Sequence, residues 1–424
     1  MKVLMLGWEF PPRIAGGLAV ACYGLVKGLV HHGLQVTFVM PLRKGDEPVQ
    51  GYRLLGANEI EVPVTPAYKE TWLRSVTWYG LHTWLGPYLE QITSSPLEFR
   101  TVWPEEVESS TGSLRLEFSG KYGPDLLNEV YRYAYVVSHL AERESFDLIH
   151  AHDWLTYLGG IALKEKTGKP LVVHVHATEY DRSGEGANPL IREIEARGME
   201  AADAVVAVSW YTRSIVVERY GIPPEKVWAV HNAVLPKDRR PVEKPPSTRK
   251  VVTFVGRVTR QKGPEYFVEA AARVAPYVPE AHFVMAGTGD LLRPMIHRVA
   301  QLRLGARFSF TGFLPPTEVE KLFDLSDVYV MPSVSEPFGI SALEALRAGI
   351  PVILSRQSGV AEVLPHALKV DFWDVERLAD LLYGVLRYRG IRPFFQRHAQ
   401  EELSHLQWER SSARIVELYQ TLLA

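Results

Sequence analysis

The chain has a single cysteine, Cys22, among its 424 residues. One cysteine excludes an internal disulfide and suits the reducing cytoplasm, where we expect the protein to work. The sequence also lacks an apolar run of the roughly 20 residues that a membrane-spanning helix needs. The initial run "VLMLGW" is too short for the apolar part of a signal peptide. We therefore expect no integral association with a membrane.

Neither sign of charge is in excess, since 47 Lys and Arg stand against 49 Asp and Glu, for a net charge of −2. This balance excludes a broad electrostatic attraction to nucleic acid, so any anionic ligand must be held by local groups. The chain is 46% hydrophobic and 23% charged, as folded globular proteins are. Its length exceeds what one hydrophobic core supports, which predicts two domains of roughly 200 residues each.

Short apolar runs alternate with amphipathic segments of helical period along both halves of the chain. The runs are continuously apolar and do not alternate with polar residues, so we expect strands buried on both faces in parallel sheets. This pattern predicts a doubly wound α/β fold in each half. In the first half the runs are 2–7, 36–41, 148–153, 171–177, 204–209 and 227–234.

A segment rich in Pro and charge, 235–250, interrupts the pattern and is typical of a linker. We therefore predict an N-terminal domain, 1–237, and a C-terminal domain, 248–405, facing each other across a cleft. The helix expected within 406–424 can pack on either domain, including back on the first. An insertion rich in aromatics, at about 60–110, is either a small core of its own or a platform for sugar rings.

Two glutamates flank the start of a predicted helix in "SEPFGISALEAL", which we expect to begin at Phe338 or Gly339. The free N–H groups at Gly339 and Ile340 can bind a diphosphate. Glu344 follows after a rise of about 7.5 Å, so the carboxylates of Glu336 and Glu344 can hold opposite ends of a nucleotide-sugar. The same spacing is equally consistent with an alternative in which Glu336 only stabilises the start of the helix and Glu344 is a solvated surface residue.

A basic loop, "VGRVTRQKG", supplies Arg257 and Lys262, which can meet a diphosphate or simply be solvated. Together with Glu336, Gly339 and Glu344, this loop closely resembles the retaining GT-B glycosyltransferases, in particular glycosyltransferase family four and the glycogen synthases. The resemblance spans the chain, because further motifs arrive in the family's order: "WEFPPRIAGGL", "HAHDW", "VHVHATE", "VSWYT", "VHNAV", "MAGTGD" and "FTGFLP".

The resemblance implies two Rossmann-like domains, with the acceptor held by the first and the nucleotide-sugar by the second. It implies that Arg257 and Lys262 neutralise the diphosphate, that Glu336 lies by the donor hexose and that Glu344 binds ribose. It also implies that His176 contacts the hexose from the opposite domain, that no metal takes part and that the product keeps the α configuration. From the residues alone, the favoured interpretation of His176, at a strand end, is a hydrogen-bonded core histidine.

The same resemblance implies that Gly16 and Gly17 approach the donor phosphates or the acceptor, although a glycine pair is also an ordinary strand-to-helix turn. Asp153 matches an aspartate that faces the acceptor site in glycogen synthases. From its position before a helix, we predict that the Asp153 side chain caps that helix near Thr156. The chain differs from bacterial glycogen synthases at Ile14, where they have Lys, and at Glu344, where they usually have Tyr.

We therefore expect a retaining α-glucosyltransferase that moves glucose from ADP-glucose or UDP-glucose to the non-reducing end of an α-1,4-glucan, with no cofactor. The differences leave the donor nucleotide open. One alternative is another family-four transfer, such as synthesis of trehalose or a sucrose-like disaccharide. Others are a nucleotide-sugar epimerase that hydrolyses its substrate and a non-catalytic glycan binder. The first strand is not followed by G-x-G-x-x-G, which argues against an NAD-dependent oxidoreductase.

Overall fold

The computed structural model describes residues 1–12, 16–47, 51–63, 113–123, 125–236 and 249–424. Ile14, most of the expected aromatic insertion and the middle of the expected linker lie outside these residues.

The first half contains a sheet of seven parallel strands in the order β3-β2-β1-β6-β7-β8-β9 and a separate antiparallel pair, β4-β5. The strands are β1 Lys2–Leu6, β2 Gln35–Met40, β3 Arg53–Gly56, β4 Glu61–Pro63, β5 Ser113–Arg115, β6 Leu148–His152, β7 Leu171–Val175, β8 Ala204–Ala207 and β9 Val227–Ala229. The described helices are α1 Gly17–His31, α2 Leu126–Ser138, α3 Trp154–Thr167, α4 Glu179–Ser183, α5 Pro189–Ala201 and α6 Trp210–Tyr220.

The second half contains six parallel strands in the order β12-β11-β10-β13-β14-β15. The strands are β10 Lys250–Val255, β11 Ala281–Ala286, β12 Phe308–Gly312, β13 Val328–Met331, β14 Val352–Ser355 and β15 Leu368–Val370. The helices are α7 Pro264–Val274, α8 Leu292–Gln301, α9 Pro316–Leu325, α10 Ile340–Arg347, α11 Val375–Arg387, α12 Ile391–His405 and α13 Trp408–Leu423. None of the described helices is long and apolar enough to cross a bilayer.

The predicted fold class is confirmed, because both sheets are parallel and their central strands are buried on both faces. Every residue of β6, β7 and β8 is buried, as continuous apolar runs require. Two strands at sheet edges, β3 and β15, were not predicted from the sequence. Both are short and carry a basic residue, Arg53 or Lys369, so their apolar signal is weak.

The helix α13 packs against α1, the first helix of the N-terminal sheet. Two glycines of α1 make room for it, since a Cβ atom at Gly24 would lie 2.1 Å from the Trp408 ring and one at Gly28 would lie 2.5 Å from Ser412 Oγ. Ile415 and Leu418 are buried in the same core as the strands of that sheet. The chain thus crosses to the second sheet and returns to the first.

Candidate active site

Polar side chains gather where strands of both sheets end. In a parallel α/β sheet, loops at the carboxyl ends of the strands form the ligand site. The segment after β7 brings His176 and α4 to this edge of the first sheet. In the second sheet, the loop after β10 carries Arg257 and Lys262, and the loop after β13 carries Glu336 and the start of α10. The two sets of loops meet, since α4 contacts the short 3-10 helix Arg260–Lys262.

An ion pair joins Lys262 to Glu336, two of the residues that we predicted at the site. Lys262 Nζ lies 2.5 Å from Glu336 Oε2, and the Ser333 hydroxyl donates to the same oxygen at 3.1 Å. The Glu336 residue is only 6% exposed, and its main chain bridges to Ser358. A carboxylate in such a position needs a cationic partner, which Lys262 supplies.

Gln261 organises the loop that carries the two cations. Its side-chain oxygen accepts a hydrogen bond from Arg257 Nη2 at 3.1 Å, and its carbonyl accepts one from the backbone N–H of Val334 at 2.9 Å. Gly263, two positions after Gln261, has φ +63°, and a Cβ atom there would lie 2.1 Å from the carbonyl oxygen of Pro332. The 256–263 loop is therefore packed tightly on the loop that carries Glu336.

The helix α10 begins at Ile340, slightly later than we predicted, with Gly339 as its N-cap. Gly339 has φ +108°, a conformation that L side chains rarely adopt. A Cβ atom there would lie 2.9 Å from Met331 Cε and 3.1 Å from a methyl group of Val360. Both the backbone and the surroundings therefore require glycine at this helix start, where N–H groups are available to an anion.

Glu344 lies further along α10 and is half-buried. Burial raises the pKa of its carboxyl from 4.5 to about 7; nearby Arg347 opposes the rise and Glu320 adds to it. Arg347 also has a second carboxylate partner, because its Nη2 donates to Glu320 at 3.0 Å. Part of the negative charge that Glu344 would carry is thus left without compensation.

In the first domain, His176 is held through both its backbone and its ring. Its backbone N–H donates to Asp153 Oδ1 at 2.7 Å, and its Nε2 lies 2.9 Å from Nδ1 of His152. Burial lowers the pKa of His176 to about 3, so the ring is neutral at pH 7. The predicted helix cap by Asp153 is wrong: the side chain makes no cap hydrogen bond and turns instead to the backbone N–H groups of His176 and Ala177.

A buried network supports the segment around His176 from behind. Arg182 donates to the carbonyl of Ala177 at 3.1 Å and to Glu195 Oε1 at 2.9 Å, and it lies 3.9 Å from Asp153. Burial raises the pKa of Glu195 to about 7, while the charge of Arg182 opposes this. The backbone that follows β7 is thereby fixed at several points.

A hydrogen-bonded bridge links the two domains next to the ion pair. The Ser335 hydroxyl donates to Asp181 Oδ1 at 2.5 Å, which leaves its oxygen to accept from the Tyr211 hydroxyl at 2.9 Å. Asp181 also accepts from the backbone and hydroxyl of Thr178, each at 2.7 Å. None of the three bridge residues was predicted from the sequence. The spacing Thr178-x-x-Asp181 signals a capping box, but not a partner in the other domain.

The predicted site residues therefore fall into connected and separate groups. Lys262 and Glu336 touch, Arg257 joins them through Gln261, and His176 and Asp153 form a pair in the other domain. Gly16 and Gly17 begin α1 with open space around their Cβ positions. No hydrogen bond among the described residues connects them to these groups.

Two Rossmann-like domains that meet at the carboxyl ends of their strands, with cations beside a glycine-capped helix, define the GT-B class. Residues 106–237 match the family described as Glycosyltransferase Family 4, and residues 237–389 match Glycosyl transferases group 1. The chain belongs to this family of glycosyltransferases, as the relatives below also indicate.

The relatives differ in the acceptors that their names give. An uncharacterised glycosyltransferase of Methanocaldococcus jannaschii is 28% identical over 99% of this chain and 98% of its own. D-inositol 3-phosphate glycosyltransferase 2 of Catenulispora acidiphila is 30% identical, over 65% of this chain and 70% of its own. A glycogen synthase of Mycobacterium tuberculosis is 24% identical over 99% of this chain and 94% of its own.

Solved structures show the same fold at low identity. Sucrose-phosphate synthase from Thermosynechococcus elongatus superposes with a TM-score of 0.70 at 18% identity, covering 99% of this chain and 98% of that one. HepE of Anabaena, in complex with UDP and glucose, superposes with a TM-score of 0.69 at 16% identity, covering 99% of this chain and 100% of that one.

Proposed function

We propose that this glycosyltransferase is a retaining glucosyltransferase that uses ADP-glucose or UDP-glucose to extend an α-1,4-glucan at its non-reducing end. The observation that carries the proposal is the Lys262–Glu336 pair, set before the glycine-capped start of α10 and beside the bridge to the first domain. The full-length likeness to a glycogen synthase favours a glucan as the acceptor.

The donor diphosphate would bind at the start of α10, where helix N–H groups favour an anion. Lys262 would then turn from Glu336 towards the phosphates, and Arg257 would add a second cation. Charge of this kind lowers the barrier for a diphosphate to leave. Glu336, released from its ion pair, would face the hexose and stabilise the positive charge that develops at the transferring carbon.

The sugar and the nucleoside would be bound on either side of the diphosphate. Glu344, further along α10, would accept hydrogen bonds from the ribose hydroxyls. His176, neutral at pH 7, would form a hydrogen bond to the hexose from the first domain. Asp153 fixes the His176 backbone and is in this scheme a positioning residue. Gly16 and Gly17 leave room for phosphate or acceptor at the start of α1.

The test is a matrix of ADP-, UDP- and GDP-glucose against glycogen, maltooligosaccharides, glucose and sugar phosphates, scored for nucleotide release and for product. We expect transfer to glucan with an α-linked product by NMR. Nucleotide release without an acceptor would identify the hydrolysing epimerase instead, and tight donor binding with no product on any acceptor would identify a non-catalytic binder.

Lys262→Ala, Arg257→Ala and Glu336→Ala should each lower kcat by roughly 10²–10³-fold while the thermal transition survives. Lys321→Ala is the matched control, because Lys321 lies on α9 in an exposed pair with Glu318. Rates close to those of the unmodified protein in all three site variants would refute the site.

A second candidate is transfer to a small phosphorylated or free sugar, as in synthesis of a trehalose- or sucrose-like disaccharide. The 30% identity to an inositol phosphate glycosyltransferase favours it over the remaining alternatives. With inositol phosphate added to the same acceptors, product on inositol phosphate, fructose 6-phosphate or glucose, with none on glucan, would select it.

A further inference from the structure

Four histidines form a continuous stack on two neighbouring strands of the first sheet. His150 and His152 lie on β6, and His174 and His176 lie on or just after β7, with His152 directly opposite His174. Neighbouring ring centroids are 4.3–5.3 Å apart. His150 and His152 are 0% exposed and His174 is 3% exposed. The proposed transfer chemistry uses only His176, so the other three need a separate explanation.

The free nitrogens of these three rings are the unusual feature. His150 Nδ1 pairs with the Tyr419 hydroxyl, and His152 Nδ1 pairs with His176. In the described part of the chain, Nε2 of His150, Nε2 of His152 and both ring nitrogens of His174 have no hydrogen-bond partner. A buried polar atom without a partner costs about 1–3 kcal/mol, and native proteins rarely place several together.

This pattern is that of ligands to a metal ion. A metal-binding imidazole usually gives one ring nitrogen to a hydrogen-bond partner and the other to the metal. Here the Nδ1 atoms of His150 and His152 have such partners, and their Nε2 atoms are available. One ligand atom from each of His150, His152 and His174 lies within 4.8 Å of the others. Tetrahedral zinc requires about 3.4 Å between ligand nitrogens, so the stacked rings would have to turn about χ2 to converge on the ion, with water in the fourth position.

We propose that His150, His152 and His174 form a buried binding site for a late first-row divalent metal ion, most simply Zn²⁺. Imidazole nitrogens suit zinc. The ion would have a structural role, because it would join β6 to β7 and, through Tyr419, to α13. It would also fix His152, which holds the ring of His176. The ion takes no part in the transfer reaction.

A second set of three ligand atoms, from Cys22, His152 and His176, also lies within 4.8 Å. It shares His152 with the first set. We favour the first set because, among the described residues, each of its three histidines has a ring nitrogen without a partner, whereas Nε2 of His176 is already paired with Nδ1 of His152. Only the second set includes Cys22, so the Cys22→Ser variant described below distinguishes the two sets.

The first measurement uses the full chain, with metal content determined by mass spectrometry after dialysis against Zn²⁺ and then against metal-free buffer. We expect one zinc per chain, a rise in Tm of roughly 5–10 °C when Zn²⁺ is returned to chelator-treated protein, and the visible absorption of tetrahedral Co²⁺ on cobalt substitution. Absence of bound zinc, together with a Tm that does not change when Zn²⁺ is returned, would overturn the proposal. Water would then be the partner of the free histidine nitrogens.

The decisive variant is His174→Leu, which removes two unpaired nitrogens and introduces an apolar side chain of similar size. It should lose the zinc and the Zn²⁺-dependent rise in Tm, while its Tm in chelator equals or exceeds that of the unmodified protein. His297→Leu, on the exposed face of α8, is the matched control and should keep the zinc. Cys22→Ser should also keep it; loss of zinc in Cys22→Ser with retention in His174→Leu would refute the assigned ligands.

Discussion

Replacement of Glu344 by Gln should change stability in a way that depends on pH. Burial raises the pKa of this carboxyl from 4.5 to about 7 in the folded protein. Between these two values the folded state binds a proton that the unfolded state does not, so stability falls as the pH rises through this window. At 1.36 kcal/mol for each pKa unit, the full loss is about 3 kcal/mol. The amide of Gln resembles the protonated carboxyl group in size but does not ionise, so the variant avoids this loss of stability.

Thermal unfolding should therefore show nearly equal Tm values for Glu344→Gln and the unmodified protein at pH 4.5. At pH 8 the variant should be higher by roughly 6–12 °C for a domain of this size. Glu401→Gln, on the exposed face of α12, is the matched control and should show no pH-dependent difference. A Glu344→Gln variant that is less stable at pH 8, or a difference that does not change with pH, would refute the reasoning.

The same variant tests the proposed ribose contact independently of stability. Loss of a charged acceptor costs about 1.5–3 kcal/mol, so KM for the donor should rise roughly 10–100-fold at pH 8. An unchanged KM would remove Glu344 from the donor site while leaving the stability result intact.

Two further predictions concern packing. Gly339→Ala should lower the free energy of unfolding by about 1–3 kcal/mol and weaken donor binding, because the new Cβ atom would meet Met331 and the backbone has a positive φ. Gly384→Ala lies inside α11 with open space around the new Cβ atom and should stabilise the protein by about 0.5–1 kcal/mol. Calorimetry that ranks the two variants the other way would contradict this. Trp408→Ala should cost about 3–5 kcal/mol in denaturant unfolding because it empties the space facing Gly24, and a cost under about 1 kcal/mol would contradict this packing.

Both parallel sheets could be predicted because their central strands are continuous apolar runs that need burial on two faces. One edge strand of each sheet could not, since β3 and β15 are short and partly exposed. Strand order also has no local signal: β1 lies between β2 and β6, and the chain between those two strands is more than a hundred residues long. Long-range pairing of this kind depends on how the whole domain packs.

At the site, the residue types were predictable and their partners were not. The sequence indicates cations after β10 and carboxylates around α10, because such groups recur at strand ends. The Lys262–Glu336 pair spans 74 positions and depends on the tight packing of two loops around Gly263. For Asp153 a local rule was misleading, because it predicted a helix cap where the carboxylate accepts from the backbone that follows the neighbouring strand β7.

The return of α13 to the first sheet has a consequence for how the protein is made. Ile415, Leu418 and Tyr419 are buried in the core that α1 shares with that sheet, yet the ribosome adds them only after the entire second domain. The first domain therefore emerges with its α1 face uncovered and remains unfinished while some 170 residues of the second are synthesised, which at roughly 5–20 residues per second takes on the order of ten seconds or more. Nascent chains of this protein should accordingly depend on chaperones until α13 docks.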